Sequence, residues 1–111
     1  MAVNVRVLIP AKLAETAQTT QYTATNVVAI IDKFTATNVT GTAATIAVNL
    51  VSRLDNPGSQ NLIVATKTLL PSETYTFPEL VGAALAAGGS ISTIAGTSNA
   101  INIRASGREI S

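Results

Sequence analysis

The chain has 111 residues, of which 47% are apolar and 12% are charged, and its formal net charge is +1. This length predicts one domain spanning residues 1–111. So small a charge argues against a nucleic-acid partner, because phosphate binding draws on clusters of Lys and Arg. His and Cys are absent, which excludes a Ser-His-Asp triad, a cysteine nucleophile and the usual zinc ligand sets.

The N-terminal segment is predicted to be extended. Val3–Ile9 alternates apolar residues on one face with other residues on the opposite face, which is the pattern of a strand, and Pro10 is expected to end it. Residues 1–20 as a whole are a candidate N-terminal arm or strand, and Gln21–Thr25 is the next extended piece. No basic segment followed by a long apolar run and a cleavage site is visible, so no secretion signal is expected.

The middle of the chain predicts two longer strands. Val27–Thr37 is rich in β-branched residues, and we expect a bulge at residues 31–32 because a regular strand would bury an aspartate. Asn38–Gly41 has the composition of a tight turn, and Ala44–Leu54 alternates apolar residues with polar ones such as Asn49. These segments are predicted to form a β-hairpin with Asn49 and Arg53 facing outward.

The C-terminal half adds a turn, further strands and one helix. The Pro-Gly pair within Asp55–Ser59 marks the clearest turn of the chain. Pro78–Ala87 is the helical candidate, because Pro suits the first position, the apolar residues share a face, and Gly88 suits the residue after the last turn. Strands are predicted at Leu62–Leu69, Ile91–Ala95 and Ile101–Ile110, and in the last of these Ile101, Ile103 and Ala105 are expected on the face opposite the polar residues.

These segments together predict an all-β fold, a β-sandwich or jelly roll of about eight short antiparallel strands with one short helix. The pentapeptide TATNV occurs at 23–27 and again at 35–39, a regular spacing that would also suit an ice-binding solenoid. The next copy would begin at Ala47, where the pattern is lost. Both copies are therefore interpreted as strand ends beside turns.

The residues that could support chemistry do not form a catalytic pattern. The carboxylates are scattered and mostly lie beside predicted turns, with no spacing that would bring two together as in a glycoside hydrolase. We expect a protein that is not an enzyme and that uses no cofactor or metal. A carbohydrate-binding sandwich is an alternative by fold analogy, and its candidate aromatic residues are Tyr22, Phe34, Tyr75 and Phe77.

The low charge predicts uncharged surfaces suited to protein–protein contacts. Phe34–Ser52 and Leu80–Ile103 contain no charge, yet polar residues interrupt both stretches, so no membrane partner is expected. In so uncharged a domain the arginines are candidates for orienting an interface. The candidate protein-interaction residues are Arg6, Arg53, Arg104 and Arg108, of which the last two share one side of a regular final strand.

Three segments carry a resemblance to a known family. Glu73–Gly82, the run Leu85-x-x-Gly88-Gly89-Ser90-Ile91, and Ile103–Ile110 resemble small virion proteins of tailed bacteriophages, and the order of elements is similar along nearly the whole chain. One departure is Ser72-Glu73, where the family pattern suggests a Gly-containing turn.

The resemblance implies a β-sandwich structural subunit of the virion, assembled in the bacterial host cytoplasm. The expected role is a capsid cement or decoration protein, with a neck or tail component as the alternative. The expected partners are the major capsid protein or other virion proteins and further copies of the same chain, with a trimer among the homo-oligomers considered. The resemblance carries over no catalytic residues.

Overall fold

A computed structural model describes residues 2–111. Within this part of the chain two antiparallel sheets pack together, so the prediction of an all-β sandwich is confirmed. A short 3-10 helix lies at Ser59–Asn61. The strands are β1 (Val3–Leu13), β2 (Thr19–Thr23), β3 (Val28–Asn38), β4 (Ala44–Val51), β5 (Leu62–Leu69), β6 (Thr74–Tyr75), β7 (Ala84–Leu85), β8 (Ser90–Ala95) and β9 (Ile101–Ile110).

The chain passes back and forth between the two sheets, because most consecutive strands belong to different sheets. The five-stranded sheet has the order β1-β9-β3-β6, with β7 pairing another part of β3, and the four-stranded sheet has the order β2-β8-β4-β5. The connections from β3 to β4 and from β8 to β9 are two of those that cross from one sheet to the other. β1 is the edge strand on one side of the five-stranded sheet.

The core lies between the sheets, because alternate residues of each strand face inward. In β9 this alternation buries Ile101, Ile103 and Ala105, as the sequence predicts. Phe34 and Phe77 are fully buried and pack edge to face, with ring centroids 4.8 Å apart. Aliphatic side chains from both sheets surround this aromatic pair.

The bulge predicted at residues 31–32 is confirmed. The pairing of β3 with β9 shifts register between Ile31 and Lys33, which leaves Asp32 as the extra residue. Ile31 is fully buried whereas Asp32 is exposed. The extra residue keeps the apolar side chains of β3 facing the core without burying a carboxylate.

The hairpin predicted over residues 27–54 is wrong. β3 and β4 belong to different sheets, so the turn after β3 carries the chain across the sandwich. Asn38 organises this crossing from a fully buried position: its side-chain amide donates to the carbonyls of Thr42 and Leu69, and Thr40 donates to its oxygen. A turn-forming composition suits a hairpin and a crossover equally well, so the local sequence does not choose between them. The hairpin that does form joins β4 to β5 through the predicted turn at residues 55–59.

The helix predicted at Pro78–Ala87 is wrong. Residues 78–82 form successive turns, and β7 follows them. The N–H of Ile31 donates to the carbonyl of Ala83, and the N–H of Gly82 donates to the carbonyl of Ile31. These backbone groups bond to β3 and are not available for helical hydrogen bonds. Pairing with a neighbouring strand therefore overrides a weak local helix preference.

The segment considered as an N-terminal arm contains an edge strand. β1 pairs with β9 along its whole length, with a register shift at Leu8 and another between Ile9 and Lys12. Pro10 lies inside β1 and does not end it. Proline is tolerated there because an edge strand leaves part of its backbone without a partner strand.

Candidate interaction surface

The outer face of the five-stranded sheet changes in character along the strands. Strand register identifies its residues, because side chains in one cross-strand row point to the same side of the sheet. Near the start of β3 the face is mostly apolar, and its rows are Val3, Ile110 and Val28, then Val5, Arg108 and Ile30. Further along, the face becomes polar, with Thr35 beside Arg104 and Thr37 beside Asn102.

Three valines make the N-terminal half of β1 an exposed apolar strand. Val3, Val5 and Val7 have exposed fractions of 55%, 84% and 51%. We call this stretch, residues 3–7, the valine edge. The sequence pattern predicted these valines on one face together with Ile9, but only Ile9 is buried. The register shift at Leu8 separates them, so Ile9 turns into the core while the valines stay outside.

The Arg108 guanidinium is paired on the outer face with the bulged Asp32. Its Nε lies 3.0 Å from one carboxylate oxygen, and its Nη2 lies 2.9 Å from the other. Hydrogen bonding to the carboxylate, followed by its charge, raises the pKa of Arg108. The pair is about half-exposed and locally neutral, so Arg108 orients a side chain on this face without adding net charge.

Arg6 lies on the opposite face of β1 from the valines. Its Nε is 3.1 Å from one carboxylate oxygen of Glu109, and the hydroxyl of Tyr22 donates to the other at 2.5 Å. Tyr22 belongs to β2, so this cluster links the two sheets. Burial, and then hydrogen bonding to Glu109, raises the pKa of Tyr22 well above its ordinary value.

The other two candidate arginines lie in different places. Arg104 is exposed on the outer face of the five-stranded sheet, and it makes no ion pair with any residue in 2–111. Arg53 lies beyond β4 and lines a cleft of about 480 Å³ together with Thr23, Asn26 and Gly88. The structure thus brings Arg104 and Arg108 to one face of β9 and does not bring Arg6 or Arg53 to them.

The outer face of the four-stranded sheet carries a polar network that the sequence pattern missed. Asn49 points outward as predicted, but it is buried because the loop after β4 folds over it. Its amide donates to the carbonyl of Gly58 and, at 2.7 Å, to the side-chain oxygen of Asn61. Gln18 donates to Ser92 at 2.7 Å beside this network. The Asn-Pro-Gly sequence could have located the loop. The burial of Asn49, however, depends on the loop folding back over the sheet, which the local sequence does not show.

The candidate carbohydrate-binding aromatics do not form an exposed platform. Phe34 and Phe77 are fully buried, and Tyr22 and Tyr75 are half-buried. Tyr75 packs edge to face on Phe77, and the amine of Lys67 lies over the Tyr75 ring, 4.6 Å from its centroid. Sugar binding on a β-sandwich relies on accessible aromatic faces, and within residues 2–111 each of these rings is engaged in the protein's own packing.

Metal-ligating side chains do not gather in groups of three or more anywhere in residues 2–111. In the same part of the chain, no helix has the length and hydrophobicity needed to span a bilayer. Comparison with protein-family models, curated proteins and solved structures found no match. The geometry of the outer face is therefore the observation from which a function is proposed.

Proposed function

We propose that this protein is a structural subunit of a tailed-bacteriophage particle, a capsid cement or decoration protein that docks repeatedly on the head. The observation that carries the proposal is the outer face of the five-stranded sheet, a broad pleated surface of Val, Ile and Thr on which, within residues 2–111, Arg108 is paired with Asp32 and the unpaired charges are those of Arg104 and Lys33. The resemblance of Glu73–Gly82 and Ile103–Ile110 to small virion proteins supports the same role.

The charges on this face support docking to an acidic protein surface. Arg108 is neutralised by Asp32, whereas Arg104 and Lys33 make no ion pair within residues 2–111. An unpaired arginine amid uncharged residues can orient a docking partner through hydrogen bonds to carboxylates.

The mechanism is the burial of a largely uncharged surface at many equivalent sites. A stable protein–protein contact buries on the order of 1,200–2,000 Å² in total. A single contact that buries less area than this binds weakly. Many copies joined to each other and to the shell then add their binding free energies through multivalency. The outer face needs no chemistry beyond shape and hydrogen bonding to act in this way.

Charge reversal at two arginines tests the docking face. We expect purified protein to decorate expanded, undecorated capsids in electron micrographs, and Arg104→Glu to weaken that binding by about tenfold or more. Arg53→Glu is the matched control, because it makes the same change at a cleft away from the outer face. Equal binding by both variants would exclude the outer face as the docking surface.

The same experiment separates the other roles. Binding at a single vertex instead of the lattice would indicate a neck or tail component. Failure to bind any part of the particle, together with glycan binding that is lost in Tyr22→Ala, would favour the carbohydrate-binding module. Circular dichroism of each variant checks that the sandwich is retained.

A further inference from the structure

The hydrogen-bond pattern of β1 shows which of its backbone groups lack a partner strand. The N–H of Ala2 donates to the carbonyl of Ser111 and the N–H of Ser111 donates back to Ala2, each at 3.0 Å. In an antiparallel pair, such reciprocal bonding alternates with residues whose backbone groups point away from the partner strand. The register runs without a shift from Val3 to Val7. The N–H and C=O groups of Val3, Val5 and Val7 therefore point outward along the free edge.

The valine edge lacks the features that usually protect an edge strand. Natural edges are protected by proline, lysine, bulges or very short strands. The C-terminal half of β1 has such features, with a register shift at Leu8 and Pro10 two residues later. Residues 3–7 have no proline, lysine or bulge, and their one charged side chain, Arg6, is paired with Glu109 on the opposite face, so three exposed β-branched side chains lie beside the outward backbone groups.

The other sheet edges in residues 2–111 are better protected. β6 and β7 have two residues each. β2 has a register shift between Thr20 and Tyr22, and β5 has two shifts and carries Lys67. Strand addition is therefore most favourable at the valine edge, which combines regular geometry with apolar side chains.

We propose that two copies of this chain pair antiparallel through their valine edges, across a two-fold axis at Val5. This register sets Val5 opposite Val5 of the second copy and Val3 opposite Val7 of the second copy. All three residues have outward backbone groups, so each N–H finds a carbonyl on the other copy and the pairing is self-complementary. The valines of both copies then form one apolar stripe across a continuous sheet.

The side chains on the opposite face agree with this register. Asn4 lies opposite Arg6 of the second copy, and an amide oxygen is a suitable acceptor for a guanidinium. Arg6 is ion-paired with Glu109 of its own chain, so the two arginines do not bring unbalanced positive charge to the axis. A two-fold axis at Asn4 or Arg6 would instead bring together backbone groups already bonded to β9.

The pairing is independent of the proposed function, and its test needs no capsid. Sedimentation equilibrium over a range of concentrations should give a dimer for the unmodified chain. Val5→Pro removes both hydrogen bonds at the axis without disturbing β9, and we expect it to raise the dimer Kd by at least about tenfold. Val5→Thr keeps the backbone N–H and the branched shape, so it should remain dimeric.

Covalent trapping supplies a second readout, because the chain has no cysteine of its own. Val5→Cys places two thiols near the axis, and a short bismaleimide should join them in high yield. Val39→Cys, at another exposed valine, should give little cross-linked product. A monomer at all concentrations, a trimer, or a dimer unaffected by Val5→Pro would each overturn the proposal, and thermal unfolding confirms that every variant is folded.

Discussion

Replacing Asn38 by alanine should destabilise the protein far more than replacing its counterpart Asn26, although both occupy the same position in a TATNV pentapeptide. Asn38 is fully buried and joins the end of β3 to the crossover and to β5. Asn26 is exposed in a turn, with φ of 58°, and its side chain makes no hydrogen bond within residues 2–111. Asn26→Gly is the matched control, because glycine accepts this φ without strain.

The magnitude follows from the groups that Asn38→Ala leaves without partners. The Asn38 amide donates to Leu69 at 3.0 Å and to Thr42 at 2.8 Å, and its oxygen accepts from the N–H of Thr40 at 2.9 Å. Thr42 is exposed, so its carbonyl regains a bond to water. The carbonyl of the buried Leu69 and the partly buried N–H of Thr40 do not regain one easily, at a cost of about 1–3 kcal/mol for each unsatisfied group.

We therefore expect Asn38→Ala to lower the free energy of unfolding by about 3 kcal/mol and Asn26→Gly to change it by no more than about 0.5 kcal/mol. Urea unfolding followed by circular dichroism measures both, with the midpoint shifting and the slope unchanged. A loss below about 1 kcal/mol for Asn38→Ala, or equal losses in the two variants, would refute the assignment of Asn38 as the residue that holds the crossover.

Two further predictions concern stability. Gly107→Ala should unfold the protein or lower its stability severely, because the added methyl group would overlap the carbonyl oxygen of Ile30. Gly41→Ala is the control: its methyl group would meet no atom within 4 Å, so its stability in the same urea assay should be unchanged. Hydrogen bonding from Lys12 lowers the pKa of Glu15 in the folded protein. The Glu15 carboxylate therefore stabilises the fold at pH values above its unfolded pKa, and this stabilisation is lost as pH falls through its lower pKa in the folded state. With no His or Cys in the chain, the urea midpoint should be flat from about pH 8 to 5 and fall below that, with a shallower fall in Glu15→Gln. A step near neutral pH would contradict this.

Several features of the fold could be predicted because they depend on local patterns. Alternation in β9 identified its buried face, and the cost of burying Asp32 located the bulge in β3. The Asn-Pro-Gly sequence located the turn that connects β4 to β5 in their hairpin. Each of these depends on a residue's own preference for water or for a backbone conformation, which the sequence contains directly.

The candidate surface was less predictable, because it depends on register. Arg104 and Arg108 share a face because β9 runs regularly through Gly107, as the strand period suggests. The exposure of Val5 could not be foreseen, because it depends on a bulge one residue after Val7 and on the absence of a further strand beside β1. Arg53 was placed on an outward face, but the cleft around it forms from loops distant in sequence.

The sequence by itself determined that this chain forms β-strands, where most of them lie, and that side chains on alternate faces separate core from surface. The tertiary structure alone decided which sheet each strand joins, why Pro78–Ala87 is not a helix, and why one TATNV asparagine is buried while the other is exposed. The physical reason is that local preferences amount to fractions of a kcal/mol per residue, whereas backbone pairing and burial between distant segments contribute more and act only in the folded chain.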